Sequence, residues 1–383
     1  MRATTGHSDD PVSIDAIDDI IQQIEATLGG EAPKAALLFC SVEYEHEVIL
    51  QRIQKQWPGL PLVGATSDGE ISSQLGFRDD SVLLTVFSGN DIKVHAGLGK
   101  DLSQDPDRAI ASAVTQMGEI DPKLCLTTFA PSTDASVVIR GLSKSLPGKR
   151  CPILGGLSGD HREFGQMVEF FGGEVVTDSL PLLLLEGDFE VSWGIGSGWD
   201  PTGREMTVTS STGNVVHAID GKPAMDVYRE TYDEVPHDFL LEFPLACLSG
   251  DGEWQLRAPL SHDAESGSLT FAGAVEEGSR VRFTEVFDDG LLRGSEDAMA
   301  QALDSFAGAS PELALVFTCA ARKWVLGSEA PKEIDLLRAV AEDRGWIDME
   351  FAGLYCFGEI APNELTSPNS FHNETCVSVV LGK

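Results

Sequence analysis

Glu70 and Glu359 occupy the same place in two identical Gly-Glu-Ile turns. A carboxylate there suits a surface turn, an acceptor for backbone N–H groups or an ammonium, or acid–base work with a partner acid. Thr66, Ser67 and Asp68 stand just before Glu70 and add two hydroxyls and a second acid to the turn. Thr318-Cys-Ala-Ala-Arg322 follows a strand pattern and puts Cys319 and Arg322 at its C-terminal end. The Arg322 guanidinium is a rigid two-pronged donor, fit to hold a ligand carboxylate or to pair with Glu359. His372-Asn373 precedes the last strand pattern, where the pair offers donor and acceptor together or caps the turn.

Enzyme chemistry finds less support. Cys319 or Ser67 would serve a hydrolase if His372 activated it, yet Ala-Thr-Ser67-Asp-Gly is not the GxSxG elbow that exposes a nucleophile. The chain has no GxxxxGK[ST], and Gly194-Ile-Gly-Ser-Gly198 lacks the spacing and following helix of a dinucleotide fingerprint. The histidines show no HExxH spacing for zinc. Seven cysteines form no CxxC and several lie inside apolar strand patterns, so they read as buried reduced thiols of a cytoplasmic protein.

The elements around these residues repeat. Ala35–Cys40 reads as a strand, residues 45–56 as a helix, and a second strand ends at Val63-Gly-Ala-Thr-Ser-Asp-Gly-Glu-Ile71. The order returns with Leu124–Phe129, a helix over 132–145 stopped by Pro147-Gly148, and Pro152-Ile-Leu-Gly155-Gly-Leu-Ser-Gly-Asp160. A third time it is Leu313–Phe317, a helix over 332–344, and Phe351 to Ile360. From the strand Phe to the first Gly of the closing turn the spacings are 25, 26 and 36 residues. Alternating strands over 81–87, 168–171 and 376–381 follow the units. This predicts an α/β fold, with α+β the alternative, built from βαβ-plus-strand units. The glycine turns fall at strand C-terminal ends, where such folds bind ligands, and a shared cleft is expected there.

The expected domains are residues 1–33 as a polar, frayed tail plus the amphipathic helix opened by Ser13, then 34–217 and 218–383. With 61 acidic and 27 basic residues the formal charge is −34, which repels nucleic-acid backbones and anionic membranes. No apolar run reaches the length of a membrane span, and no apolar core of a signal peptide follows Met1.

The ordered set LLFCS, PLVGATSDGEIS, PILGGLSGD, LVFTCAARKWVLG, GLYCFGEIAP and FHNET resembles FIST proteins, an N-terminal FIST domain followed by a C-terminal one, over roughly residues 34–383. The resemblance implies a non-catalytic sensory protein for small ligands such as amino acids. It implicates Gly64–Glu70, Cys319–Arg322, Gly353–Glu359 with Tyr355, and His372–Thr375. An amino acid would then place its carboxylate on Arg322 and its ammonium on Glu70, Asp68 or Glu359. Output would pass to a separate partner, such as a histidine kinase or cyclic-dinucleotide enzyme, or to another copy in a homodimer. Some bacterial members look like haem-binding nitric-oxide sensors, for which His372, His217 or His95 would supply the axial ligand.

Overall fold

A computed structural model describes residues 1–383 apart from 119, 147–150, 162, 164, 233–236, 249–253 and 365–366. The expected Pro147-Gly148 stop lies outside the described residues. The α/β reading holds. Three of its sheets share one plan, in which an edge strand, an antiparallel neighbour and two parallel strands are completed by a short hairpin.

In the first sheet these are Arg2–Ser8, Val82–Ser88, Ala35–Cys40 and Leu62–Thr66. In the second they are Ile92–Lys100, Ser179–Gly187, Leu124–Phe129 and Ile153–Leu157. In the third they are Glu190–Gly196, Cys376–Gly382, Pro311–Cys319 and Glu350–Cys356. One helix joins the edge strand to the first parallel strand and another joins the two parallel strands. The pairs are Ser13–Leu28 and His46–Gln56, Pro106–Thr115 and Ala135–Ser145, and Gly290–Asp304 and Pro331–Asp343.

The hairpin that completes each sheet comes from a different unit. Glu70–Ser72 and Gly76–Arg78, which follow the first unit's parallel strands, pair in the third sheet against Glu350–Cys356. Glu169–Phe171 and Glu174–Val176 leave the second unit for the first sheet. Glu359–Pro362 and Asn369–His372 leave the third for the second sheet. The exchange is cyclic, so the three units close on one another.

Alternation along the parallel strands fills two kinds of core. Leu37 and Phe39, Leu124 and Leu126, and Leu313, Leu315 and Phe317 point into one central cluster shared by all three sheets. Ala36, Leu38 and Cys40 point outward against helices Ser13–Leu28 and His46–Gln56, and Cys125 and Ala314 do the same in their sheets. Both faces are covered, which is why these strands read as unbroken apolar runs. Ladder register also moves one expected equivalence. Gly64, Gly155 and Gly353 pair with Leu38, Thr127 and Val316, so Thr128 and not Phe129 matches Phe39 and Phe317. Offset by one residue, Phe129 faces the helices instead of the centre.

Three further expectations are corrected. Residues 2–8 are not frayed: Arg2–Ser8 is an edge strand, so 1–33 is the first half of a unit and not a tail. His7 holds that strand in place, its Nδ1 2.6 Å from Ser72 Oγ and its Nε2 2.7 Å from Ser81 Oγ. The strand is small and polar because Ile20 of the covering helix lies directly on Gly6, which hid it from a hydrophobicity reading. The strand expected over 168–171 is the exchanged hairpin, and the second unit's closing strand is Ser179–Gly187. The boundary at 217/218 falls inside the strand Val215–Ile219. That strand belongs to a fourth, wholly antiparallel sheet spanning Trp199 to Val286, inserted between the third unit's edge strand and its first helix. The chain enters and leaves the insertion side by side, with Trp199 paired to Val286. No helix among the described residues is long and apolar enough to cross a membrane.

The parallel strands approach so closely that a Cβ on Gly64 would sit 1.8 Å from the Leu38 carbonyl oxygen, and one on Gly353 2.2 Å from that of Val316. Backbone cannot give way there. Gly64→Ala and Gly353→Ala are therefore expected to cost about 3 kcal/mol each in urea denaturation. A loss below about 1 kcal/mol would show that the strand pairing is not fixed as described.

Candidate functional site

The three closing turns meet in a ring of main-chain hydrogen bonds. Asp68 N donates to Tyr355 O at 2.9 Å, Gly159 N to Thr66 O at 2.9 Å, and Phe357 N to Leu157 O at 3.1 Å. The expected convergence of the turns is present, but their backbones interlock where a cleft was expected. Gly69 and Gly358, at φ +125° and +130°, make the sharp reversal that carries the chain from the ring into the hairpins at Glu70 and Glu359.

The first residue of every exchanged hairpin is a buried glutamate: Glu70 opposite Leu354, Glu169 opposite Ala65, and Glu359 opposite Gly156. Glu169 completes the set that the sequence showed only as Glu70 and Glu359. Each carboxyl takes donors from its own unit. Ser67 Oγ and Ser81 Oγ donate to Glu70. Ala130 N at 2.7 Å and Ser158 Oγ at 3.3 Å donate to Glu169. Thr375 N at 3.1 Å and Thr375 Oγ1 at 2.6 Å donate to Glu359, with the Cys356 thiol 3.6 Å away. Burial pushes all three up to about 8, against the lowering effect of these donors. These carboxyls are neutral cross-braces of the ring.

Arg322 is not offered to a ligand. It is fully buried, and its donors go to Glu333 Oε1 at 2.8 Å, Ser295 Oγ at 2.6 Å, Leu291 O at 2.7 Å and the Ser197 carbonyl. Glu333, a residue without any motif signal, also takes the Tyr355 hydroxyl at 2.7 Å. Burial alone would raise the Glu333 carboxyl, but Arg322 and the Ser295 and Tyr355 hydroxyls outweigh it and hold it low. The expected grip of Arg322 on a ligand carboxylate, or on Glu359, gives way to this pair inside the third unit. Asp68 is likewise consumed, by His161 N at 2.7 Å, Trp324 Nε1 at 3.1 Å and Lys323 Nζ at 3.1 Å.

Cys319 and Asn373 do come together, on a cavity of about 380 Å³. It lies between the loop Pro131–Asp134 of the second unit, the Cys319–Trp324 segment of the third, and Asn214, Leu241, Ala258, Leu260 and Ala272 of the inserted sheet. Leu157, Trp324 and Phe357 give it an apolar wall, and the Trp324 and Phe357 rings meet edge to face at 6.0 Å. At its polar end stands Glu374, fully buried, with neither carboxyl oxygen hydrogen-bonded; Asn373 Oδ1 is also unpaired. Burial first, then the neighbouring Glu359, raise the Glu374 carboxyl well above the usual range.

Glu374 breaks the repeat. Its counterparts directly before the closing strands are Asp80 and Asp178, and both are partnered. Asp80 takes Ser41 Oγ at 3.0 Å; Asp178 takes Ser103 N at 2.7 Å and Ser132 Oγ at 3.2 Å. The third unit has Cys319 where the first has Ser41, so the donor is a thiol that burial holds protonated. A sequence signal existed: Asp80-Ser81, Asp178-Ser179 and Glu374-Thr375 each stand before a strand. Glu374 went unread because nothing local says that its two counterparts are partnered and it is not.

The histidines proposed for haem lie elsewhere. His372 Nε2 bonds the Ala361 carbonyl at 3.0 Å, and burial lowers the ring to about 4, so it is neutral. His95 Nδ1 bonds Met117 O at 2.8 Å, and His217 is exposed beside Thr212. None lines this cavity, nor a second one of about 520 Å³ at the other side of the inserted sheet. Neither of these two cavities therefore brings one of the three histidines forward as an axial ligand.

Three closed α/β units and an inserted antiparallel sheet thus enclose a cavity at their junction. Family models of the FIST N domain match residues 34–222 and of the FIST C domain residues 224–362, and the chain belongs to the FIST family. FIST domains are sensory. An uncharacterized protein of Methanocaldococcus jannaschii is 26% identical over 63% of this chain and 52% of its own length. One of Mycobacterium tuberculosis is 26% identical over 64% of each chain. The chain thus spans between half and two thirds of the length of these relatives. An uncharacterized protein of Mycobacterium bovis is 24% identical over 98% of this chain and 97% of its own. The crystal structure of a cyanuric acid hydrolase from A. caulinodans aligns with 100% of this chain and 99% of its own at TM-score 0.35 and 8% identity, a likeness too weak to carry an argument.

Two tests follow from the geometry. Arg322→Ala should cost about 3–5 kcal/mol of unfolding free energy, because Glu333 is left charged and buried. A variant as stable as wild type would remove Arg322 from the framework. Separately, an acid raised on folding makes folding take up a proton. Stability from Glu70, Glu169 and Glu359 is therefore complete below their ordinary 4.5 and falls as pH rises towards about 8. The denaturation midpoint should drop between pH 5 and 8, and the combined E70Q, E169Q and E359Q variant should flatten that slope. An equally steep slope in the triple variant would assign it to other groups.

Proposed function

We propose that the protein is a non-catalytic small-ligand sensor, that the cavity at Glu374 takes the ligand, and that the signal passes to a separate partner. The observation that carries the reading is the set of unpaired acceptors on Asn373 and Glu374, fully buried at the end of a preformed cavity. A buried polar group without a partner costs about 1–3 kcal/mol, and a ligand that pairs it recovers that energy. Three pieces of the protein meet there, so a bound molecule changes how the inserted sheet sits against the second and third units. Small metabolites, amino acids among them, are the candidate ligands. A histidine kinase, a cyclic-dinucleotide enzyme or a second copy of the chain are the candidate receivers.

A Cys319 hydrolase is less well supported. Burial first, then the Glu359 and Glu374 carboxyls, push the thiol well above its ordinary value, so thiolate is scarce. The His372 ring is held by Ala361, and Ser67 donates to Glu70.

Thermal-shift screening of a small-metabolite library tests the proposal. A ligand at a hundred times its Kd should stabilise the fold by about 2.7 kcal/mol. Ala272→Trp, which fills the cavity from the inserted sheet, should abolish the shift. Ligand stabilisation that survives in A272W would move the site elsewhere.

A further inference from the structure

We infer that the group recognised in this cavity is an organic cation, an ammonium or amidinium on a small apolar body, held between Glu374 and Asn373. The inference rests on the reading of the cavity as the ligand site and names the chemistry of what enters it.

The unpaired polar atoms at this end of the cavity are all oxygens, and the one proton among them is that of the Glu374 carboxyl. Glu374 Oε1 and Oε2 and Asn373 Oδ1 are unpaired. One N–H of the Asn373 amide is engaged by the His372 carbonyl at 3.0 Å, and the atom of that side chain left without a partner is its oxygen. Among the described residues no lysine, arginine or histidine lines the cavity, while Asp134 adds a second acid at its edge. A carboxylate or phosphate would find no opposite side-chain charge. An alcohol would satisfy one acceptor of three. An ammonium or amidinium brings several N–H donors and the matching charge. Leu157, Trp324 and Phe357 then cover its apolar body, and the aromatic faces favour a cation. The protein's charge of −34 draws cations towards it as well.

The charges around Glu374 fix what binding does to its proton. Burial is the main influence, Glu242 is of like sign, and the Glu359 carboxyl and the Cys319 thiol beside it are neutral. Among the described residues Arg322 is the one cation acting on Glu374, and it is engaged by Glu333. The empty site therefore keeps Glu374 protonated. When a cation docks, the carboxyl ionises against it: the O–H bond breaks, its electron pair stays on the carboxylate, and the proton leaves to solvent. Binding releases one proton, and the affinity rises about tenfold for each pH unit while the carboxyl of the empty site stays protonated.

The experiment is calorimetric titration of the full chain with benzamidine and benzylammonium, against the near-isosteres benzamide and benzoate, in buffers of different ionisation enthalpy. Both cations should bind at least about tenfold more tightly than benzamide. They should release close to one proton, and benzoate should give no heat of binding. Glu374→Gln should lose about tenfold in cation affinity and all of the proton release. The release is read on wild type, so it decides the question even if the variant fails to fold. Benzamide or benzoate binding as well as the cations, cation binding without proton release, or unchanged binding in E374Q would each overturn the inference. Failure of both cations, while another compound stabilises wild type but not A272W, would sink this inference and leave the cavity as the ligand site. Absence of any A272W-sensitive ligand would sink both.

Discussion

Each of the three repeated sheets is finished by a hairpin that belongs to another unit, and the ring of main-chain hydrogen bonds at the turns fixes that exchange. Backbone groups buried at such a junction must be paired, so the turns tolerate little variation in length or direction. Glycine at φ +125° and +130° supplies the reversal, and a buried glutamate at the head of each hairpin ties it to the unit it left. Because the acids are neutral and receive hydroxyl or amide donors, the junction holds three of them without self-repulsion. The surface carries the protein's charge, and the junction carries almost none.

The three-fold plan is broken at the Glu374 cavity. The first and second units give the acid before the closing strand a serine or amide partner. The third replaces the serine by Cys319, leaves Glu374 bare, and inserts a sheet that roofs the space. Arg322 sits within a few residues of this place yet serves the framework, since the Glu333 carboxylate, two hydroxyls and two carbonyls take its donors. Proximity in sequence to a binding cavity is thus a poor guide to which charged side chain faces it.

Much of the fold was legible in the residues. The βαβ units stood out because strands covered on both faces are continuously apolar, as in Ala35–Cys40 and Leu313–Phe317, and because glycine and proline punctuate their ends. Hairpin exchange was not legible, since a three-residue strand such as Glu70–Ser72 carries no mark of the sheet that receives it. Arg2–Ser8 escaped because close packing under Ile20 demands small residues, which look like a polar tail. Of the residues singled out from their motifs, Cys319 and Asn373 line the cavity, whereas Arg322, Tyr355, Thr66, Ser67, Asp68 and Glu70 are bonded within the framework. Leu260 and Ala272 of the roof were out of reach, because the inserted sheet has no counterpart in the other units.

Cyclic exchange also sets an order of events during synthesis. The hairpin at Glu70–Arg78 has no sheet to join until Glu350–Cys356 exists. At about 5–20 residues per second, the ribosome takes on the order of tens of seconds to make the intervening chain. The first sheet also lacks its outer hairpin until residue 176 has emerged. Open strand edges left waiting that long invite pairing with other chains. The nascent protein thus remains adhesive nearly to its end and covers these waiting strands only when the last unit locks the circle.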